Sequence, residues 1–248
     1  MNQAQDQAQA NVVILKTGTT YPPIRDRFGD FDAWFVRGLS DSLNLTVVDV
    51  TRESPPGHPS DWHGIVITGS PAMVSDREPW SETAAAWVRQ AVDARVPLLG
   101  VCYGHQLLAH AMGGHVDYHP EGRETGSHRV RLLGSAHDDP LFRGLPEQFH
   151  AQLTHKQSVI ELPPGAQWLA RSDFEPHQAF RVGECAWGVQ FHPEFTDQIM
   201  TAYLKVQAPD LTKEGLDADH LLRSVVPAPK ASGLLVRFSE FVLYQRSL

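Results

Sequence analysis

Two stretches of this sequence hold residue types that together could carry out nucleophilic catalysis by a thiol. The first is "PLLGVCYGHQLLAHAMGG", Pro97 to Gly114, in which Cys102 stands between Gly100 and Gly104 where an apolar run gives way to helical spacing. Glycines at those places let a chain turn sharply from strand to helix, exposing the residue at the corner and aiming the helix N-terminus at it. The helix dipole favours a thiolate there, and the N–H of Tyr103 is free to stabilise an oxyanion. The second stretch is "GVQFHPEF", in which an apolar run ends at His192 and Pro193 separates that imidazole from Glu194. A thiol nucleophile needs a base, and the base needs a group that fixes its tautomer. Cys102, His192 and Glu194 have the residue types for those three roles.

The elements around these residues read as an α/β protein. "NVVILK" is a β-branched run with the character of a buried strand, followed by the loop "TGTTYPPIRDRFGD". Phe31, Trp34, Phe35, Leu39 and Leu43 recur at helical spacing before the strand-like "LTVVDV". The pattern repeats with "HGIVITGS" as strand, "WSETAAAWVRQAVDA" as helix and "VPLLGV" as a strand closing on Cys102. Alternation of this kind predicts a doubly wound, mostly parallel central sheet with flanking helices, whose site lies beyond the carboxyl ends of the strands. Gly69 and Cys102 both fall at such ends. After Gly114 come short β-like pieces, "HRVRLL", "QFHAQL", "SVIEL", "QWLARS", "QAFRV" and "CAWGVQF", which predict a small antiparallel extension. "TDQIMTAYLKVQ" and "ASGLLVRFSEFVLYQ" then read as helices joined by a polar linker. The expected division is a disordered tail over 1–10, one domain over 11–205 and a C-terminal helical extension over 206–248.

Composition narrows the function classes. With 21 Lys and Arg against 29 Asp and Glu the chain carries a formal net charge of −8, and its basic residues are scattered, so no stripe exists to offset phosphate repulsion on a nucleic acid. No window approaches the roughly 20 consecutive apolar residues of a membrane helix, and "MNQAQDQAQA" lacks the basic start and apolar centre of a signal peptide. The expected location is the cytoplasm, and the two cysteines, Cys102 and Cys185, are expected as thiols rather than a disulfide. Cys185 has no glycine frame and reads as a core thiol. No metal site is expected, because His105, His110, His115 and His119 are spaced by five, five and four, so that the helical pair His105 and His110 does not share an i, i+4 face, and no cysteine pair has zinc spacing.

"GVCYGHQLLA" followed by "GVQFHPEF", with "ITGSPAMVSD" before them and "LPEQFHAQLTHKQSVIELPPGA" between, resembles the class I glutamine amidotransferases. The likeness runs from about Asn11 to Lys205. Within that family the sequence is most similar to stand-alone amidotransferase-like proteins related to the glutaminase part of GMP synthase. The resemblance implies Cys102 as nucleophile, His192 as general base and acid, and Glu194 as its orienter. It also implies Gly69 as the donor that joins Tyr103 in the oxyanion hole, and Gln106, His155 and Ser70 as substrate contacts. The chain departs from the family where Ser70 follows Gly69 in place of a second glycine, and where Lys156 and Gln157 follow His155 in place of an acidic residue shortly after it.

The implied reaction is hydrolysis of the side-chain amide of glutamine through a γ-glutamyl thioester, with no cofactor. The sequence contains neither a G-x-x-x-x-G-K-[ST] loop nor a Ser-Gly-Gly loop to hold ATP, so an ammonia acceptor is expected on a partner synthetase chain or not at all. Two other readings stand beside it. One is a γ-glutamyl peptidase or hydrolase acting on γ-glutamyl amides through the same thioester. The other is a non-catalytic regulatory module, against which the intact triad argues.

Overall fold

A computed structural model of the chain describes residues 9–248. The tail expected over 1–10 therefore falls, for residues 1–8, outside the described residues, whereas Ala10 already pairs as the first residue of a strand. In chain order the first half runs β1 (Ala10–Lys16), α1 (Pro22–Phe28), α2 (Phe31–Gly38), β2 (Leu43–Asp49), β3 (Gly64–Ile67), α3 (Pro79–Asp93), β4 (Leu98–Val101) and α4 (Tyr103–Ala111). The second half runs β5 (His115–Tyr118), β6 (Glu124–Leu132), β7 (Gln148–His155), β8 (Gln157–Glu161), β9 (Gln167–Arg171), β10 (Ala179–Val182), β11 (Ala186–Val189), α5 (Asp197–Lys213), α6 (Ala218–Arg223) and α7 (Pro229–Arg246).

Nine strands form one sheet in the order β2-β1-β3-β4-β11-β10-β9-β6-β7, and β5 pairs with β8 in a separate ribbon. From β2 to β11 every pairing is parallel; from β11 to β7 every pairing is antiparallel. The parallel half is wound on both faces, and β1 shows why. Successive side chains of a strand point to opposite faces, and Val12 and Ile14 pack with Phe35 of α2 while Val13 and Leu15 pack with Val88 of α3 and Leu107 of α4.

Helix α5 runs through the expected boundary at 205/206, and α7 is part of the core rather than an appendage. Leu234, Leu235, Phe238 and Val242 are buried in the same cluster as Phe35 and Val66. Phe238 is fully buried and meets Trp187 of β11 edge-on, with ring centroids 6.5 Å apart. Replacing Phe238 with alanine is expected to lower stability by about 3–5 kcal/mol, since the surrounding sheet cannot close over the space left. Denaturant unfolding should show a lower midpoint at an unchanged slope.

Three local features differ from the sequence expectation. The loop after β1 contains α1, because Pro22 sits at the helix start, where its fixed φ suits the first turn and its missing N–H costs nothing. Helix α2 stops at Gly38 rather than Leu43, with Leu43 already in β2. The polar linker before α7 contains α6, started by the Asp217 side chain accepting the His220 N–H at 2.9 Å.

Candidate active site

Adjacent strands bring the first two site residues together. Val101 lies opposite Val189 in the β4–β11 register, so Cys102 leaves the sheet beside the segment that reaches His192 three residues later. The Cys102 N–H donates to the Val189 carbonyl at 2.9 Å and pins the corner. Its φ of 53° and ψ of −100° lie where a side chain is strained, by about 1–3 kcal/mol, a feature that clusters at functional sites. The flanking glycines are required by close approach: a Cβ on Gly100 would stand 2.3 Å from the Gly104 carbonyl oxygen, and one on Gly104 would stand 2.6 Å from that of Ile67. Helix α4 therefore starts hard against β3 and β4. Cys102 occupies the N-cap position without capping, so its thiol is left over, with Sγ 3.7 Å from the Thr154 carbonyl oxygen.

His192 Nδ1 is hydrogen-bonded to Glu194 Oε1, and its ring stacks on Phe195 at 4.1 Å. The other ring nitrogen, Nε2, is buried without a hydrogen-bond partner among the described residues. Burial by itself acts to lower the imidazole pKa, but the charges of Glu194 and Cys102 outweigh it and raise it to about 10. Gly69 closes the third side. A Cβ there would lie 3.1 Å from His192 Cε1 and 3.8 Å from Cys102 Cβ, so a side chain at this place would crowd the imidazole. Neither the Gly69 N–H nor the Tyr103 N–H has an acceptor among the described residues. Tyr103 is held at the helix start by its hydroxyl, 2.6 Å from Ser81 Oγ.

Gln106, His155 and Ser70 all line the cavity in front of Cys102, but their polar groups are differently occupied. Gln106 Nε2 donates to the Gln157 carbonyl at 2.8 Å and to Gln190 Oε1 at 3.0 Å, which ties α4 to the strands beside it. Both nitrogens of His155 are bonded, Nδ1 to the Gln157 carbonyl and Nε2 to Glu124 Oε2, each at 2.8 Å. Ser70 Oγ accepts the Ala72 N–H at 3.0 Å and shapes the loop. These are first of all wall-building roles. Gln157, which follows His155 by two and also lines the cavity, has both ends of its amide bonded to Ser75.

The His155–Glu124 pair has a consequence for stability. Burial acts to lower the pKa of His155, yet the hydrogen bond and charge of Glu124, with Glu175 and Cys102, raise it to about 9. A raised folded-state pKa contributes stability that is fully present below the ordinary imidazole value and is lost as pH rises through about 9. Unfolding free energy should therefore fall between about pH 6 and pH 10 by on the order of 2 kcal/mol more in the wild type than in Glu124→Gln. Comparing those two proteins isolates this pair, because His192 keeps Glu194 in both.

Sequence reasoning missed the charged wall of the cavity. Its volume is about 410 Å3, and besides the residues above it is lined by Arg123, Lys156 and Asp210. Helix α5 presents Tyr203, Gln207 and Asp210 to it at i, i+4 and i+7. Gln207 Nε2 donates to Thr154 Oγ1 at 3.0 Å, beside Cys102, so Tyr203 lies one turn to the aromatic side and Asp210 one turn to the charged side. Arg123 Nε and Nη2 donate to Glu214 at 3.0 and 2.8 Å, and Lys156 stands 3.8 Å from the same carboxylate. Only the spacing on α5 was available as a signal in advance. Cys185 is buried just before β11, at the end of that strand opposite the one leading to His192, with its Sγ 3.2 Å from the Arg95 carbonyl oxygen, and burial pushes its pKa up to about 11. Among the described residues no helix is long and apolar enough to cross a membrane.

Comparison with known proteins fits this geometry. A family model described as glutamine amidotransferase class-I matches residues 26–207. The chain is 40% identical over 131 residues to the glutamine-hydrolyzing GMP synthase of Thermomicrobium roseum, covering 53% of this chain and 23% of that protein. It is 37% identical over 134 residues to the glutamine-hydrolyzing GMP synthase of Thermosipho africanus, covering 53% and 24%. The chain thus spans under a quarter of the length of these relatives. Among solved structures it is similar to a glutamine amidotransferase of Thermotoga maritima, at a TM-score of 0.74 and 21% identity, covering 95% of this chain and 98% of that one. A glutamine amido transferase of Methylobacillus flagellatus gives a TM-score of 0.73 at 26% identity, covering 96% and 94%.

Proposed function

The chain belongs to the class I glutamine amidotransferase family, and from that premise we propose that it hydrolyses the side-chain amide of glutamine through a thioester on Cys102. The observation that carries this reading is the His192 ring, bonded to Glu194 on one side and bare at Nε2 on the side where Gly69 and Cys102 meet it. The Cys102 thiolate attacks the amide carbon, and the oxyanion takes hydrogen bonds from the Gly69 and Tyr103 N–H groups. The His192 imidazolium gives its Nε2 proton to the amide nitrogen, which leaves as ammonia. Neutral His192 then takes a proton from water, the hydroxide adds to the thioester, and collapse expels the thiolate and frees glutamate. Glu194 holds the ring through both halves. No step needs a cofactor.

The charged end of the cavity suits the head of an α-amino acid, with Lys156 and Arg123 facing its carboxylate and Asp210 its ammonium. Where the ammonia is passed on, a synthetase is the acceptor, in keeping with relatives named for glutamine-hydrolysing GMP synthesis; with no acceptor, the ammonia is simply released. A second reading, hydrolysis of larger γ-glutamyl amides, is favoured by one feature: at about 410 Å3 the cavity falls among sites that take drug-sized ligands and continues past Cys102 to Tyr21 and Tyr203. The test is to give the purified full chain glutamine, glutathione and γ-glutamyl dipeptides without ATP. Glutamate and amine release are followed, together with the mass of Cys102 peptides. Glutamine preferred, with a γ-glutamyl adduct on Cys102, supports the first reading; preference for bulky amides supports the second. Silence on every substrate, with no adduct, overturns both.

A further inference from the structure

The thioester step needs the Gly69 N–H aimed at Cys102, and we infer that Thr17, which belongs to neither the triad nor the oxyanion donors, is the positioning residue that aims it. The inference rests on the reaction proposed above. Thr17 follows β1, Thr68 and Gly69 follow β3, and Cys102 follows β4, and in the sheet β3 lies between β1 and β4. Whatever Thr68 and Gly69 turn toward β1, they turn away from Cys102.

Thr17 and Thr68, both buried, close a compact set of bonds. The Thr17 N–H donates to Thr68 Oγ1 at 3.1 Å, and the Thr68 hydroxyl lies 3.0 Å from the Gly69 carbonyl oxygen. The Thr17 hydroxyl lies 3.0 Å from the Thr68 carbonyl oxygen and 3.0 Å from that of Gly69. Each hydroxyl has one proton, and a consistent assignment gives that of Thr17 to the Thr68 carbonyl and that of Thr68 to the Gly69 carbonyl. The Thr68 N–H also faces β1, donating to the Leu15 carbonyl at 3.1 Å.

The consequence follows from peptide geometry. Across a trans peptide the carbonyl and the N–H point in opposite directions, and the 68–69 peptide is trans. With the Thr68 carbonyl fixed on the β1 side by Thr17, the Gly69 N–H is fixed on the β4 side, where Cys102 stands. The same end of β1 braces the loop beyond: a Cβ on Gly18 would stand 2.6 Å from Ser70 Oγ and 2.8 Å from Pro71 Cδ. Without the Thr17 hydroxyl the Thr68 carbonyl is buried with no side-chain donor, and a rotation of the 68–69 peptide that removes the N–H from Cys102 is opposed by less.

Thr17→Val keeps the shape of the side chain and removes the hydroxyl; Thr17→Ser keeps the hydroxyl. In Thr17→Val, kcat for the best substrate should fall about 10- to 100-fold, below the roughly 10²–10³-fold of a donor removed outright. KM should stay near the wild type, and Thr17→Ser should recover most of the rate. Alkylation of Cys102 by iodoacetamide, which forms no oxyanion, should proceed at the wild-type rate in all three proteins. A wild-type kcat in Thr17→Val overturns the inference, and so does a loss shared equally by alkylation or by Thr17→Ser, since either marks a general packing role. If the wild type itself turns over no γ-glutamyl amide, the glutaminase reading fails first, and the step Thr17 would serve falls with it.

Discussion

Replacing Cys102 with alanine abolishes glutamate release, by at least about 10⁴-fold, while leaving the protein folded. The size of the loss follows from covalent chemistry: without sulfur no thioester forms, and the oxyanion donors act only on uncatalysed attack by water. The fold survives because the thiol's hydrogen bond to the Thr154 carbonyl oxygen, at 3.7 Å, is weak, the thiol caps no helix N–H, and alanine keeps the Cβ that packs there. Backbone strain at φ 53° adds a second, sharper expectation. Alanine keeps a Cβ in that region and keeps the strain, whereas glycine relieves it. Cys102→Gly should therefore be equally inactive yet more stable than Cys102→Ala by about 1 kcal/mol. Denaturant midpoints of the two variants measure the difference. If alanine and glycine are equally stable, the corner holds no strain. Turnover retained in Cys102→Ala and lost in Cys185→Ala would move the nucleophile elsewhere.

The corner was legible in the sequence because its physics is local. A strand that ends on a thiol between two glycines can be read from five residues. The β4–β11 pairing that sets His192 beside it could not be: "CAWGVQF" reads with the antiparallel pieces, whereas β11 pairs parallel with β4 and only its other edge, toward β10, is antiparallel. What the sequence withheld depends on distant segments meeting. Arg123 precedes β6, Lys156 follows β7 and Asp210 sits on α5, and no spacing along the chain announces that one cavity collects all three. The Thr17–Thr68 bonds are hidden for the same reason, since a threonine at a strand end reads as an ordinary turn residue until the neighbouring strand is known. The antiparallel half was harder to bound than the parallel half. β6 begins at Glu124 and Thr125, polar residues that are buried through partners on other elements, so the apolar alternation used to find strands starts too late. β5, largely exposed and polar, gives no such alternation at all.

Removing His192 and neutralising Glu194 should have different costs and different pH signatures. His192→Ala deletes the group that protonates the leaving nitrogen and activates water, so both halves of the reaction stop, a loss of about 10⁴- to 10⁶-fold. Glu194→Gln keeps an acceptor oxygen for Nδ1, so the ring can stay oriented, and the loss should be smaller, about 10²- to 10⁴-fold. Its mark is the alkaline limb of the pH–rate profile. Burial acts to lower the pKa of His192, and it is the charges of Glu194 and Cys102 that raise it to about 10. With Glu194 neutral, burial is opposed by less charge, so the imidazolium gives up its proton at lower pH. The step that needs this proton then fails at lower pH, and the alkaline limb moves toward neutrality. Steady-state rates from about pH 6 to pH 10 on the wild type and Glu194→Gln measure the shift. A limb that stays in place would mean that Glu194 only orients the ring, and a fully active His192→Ala would remove His192 from the chemistry altogether.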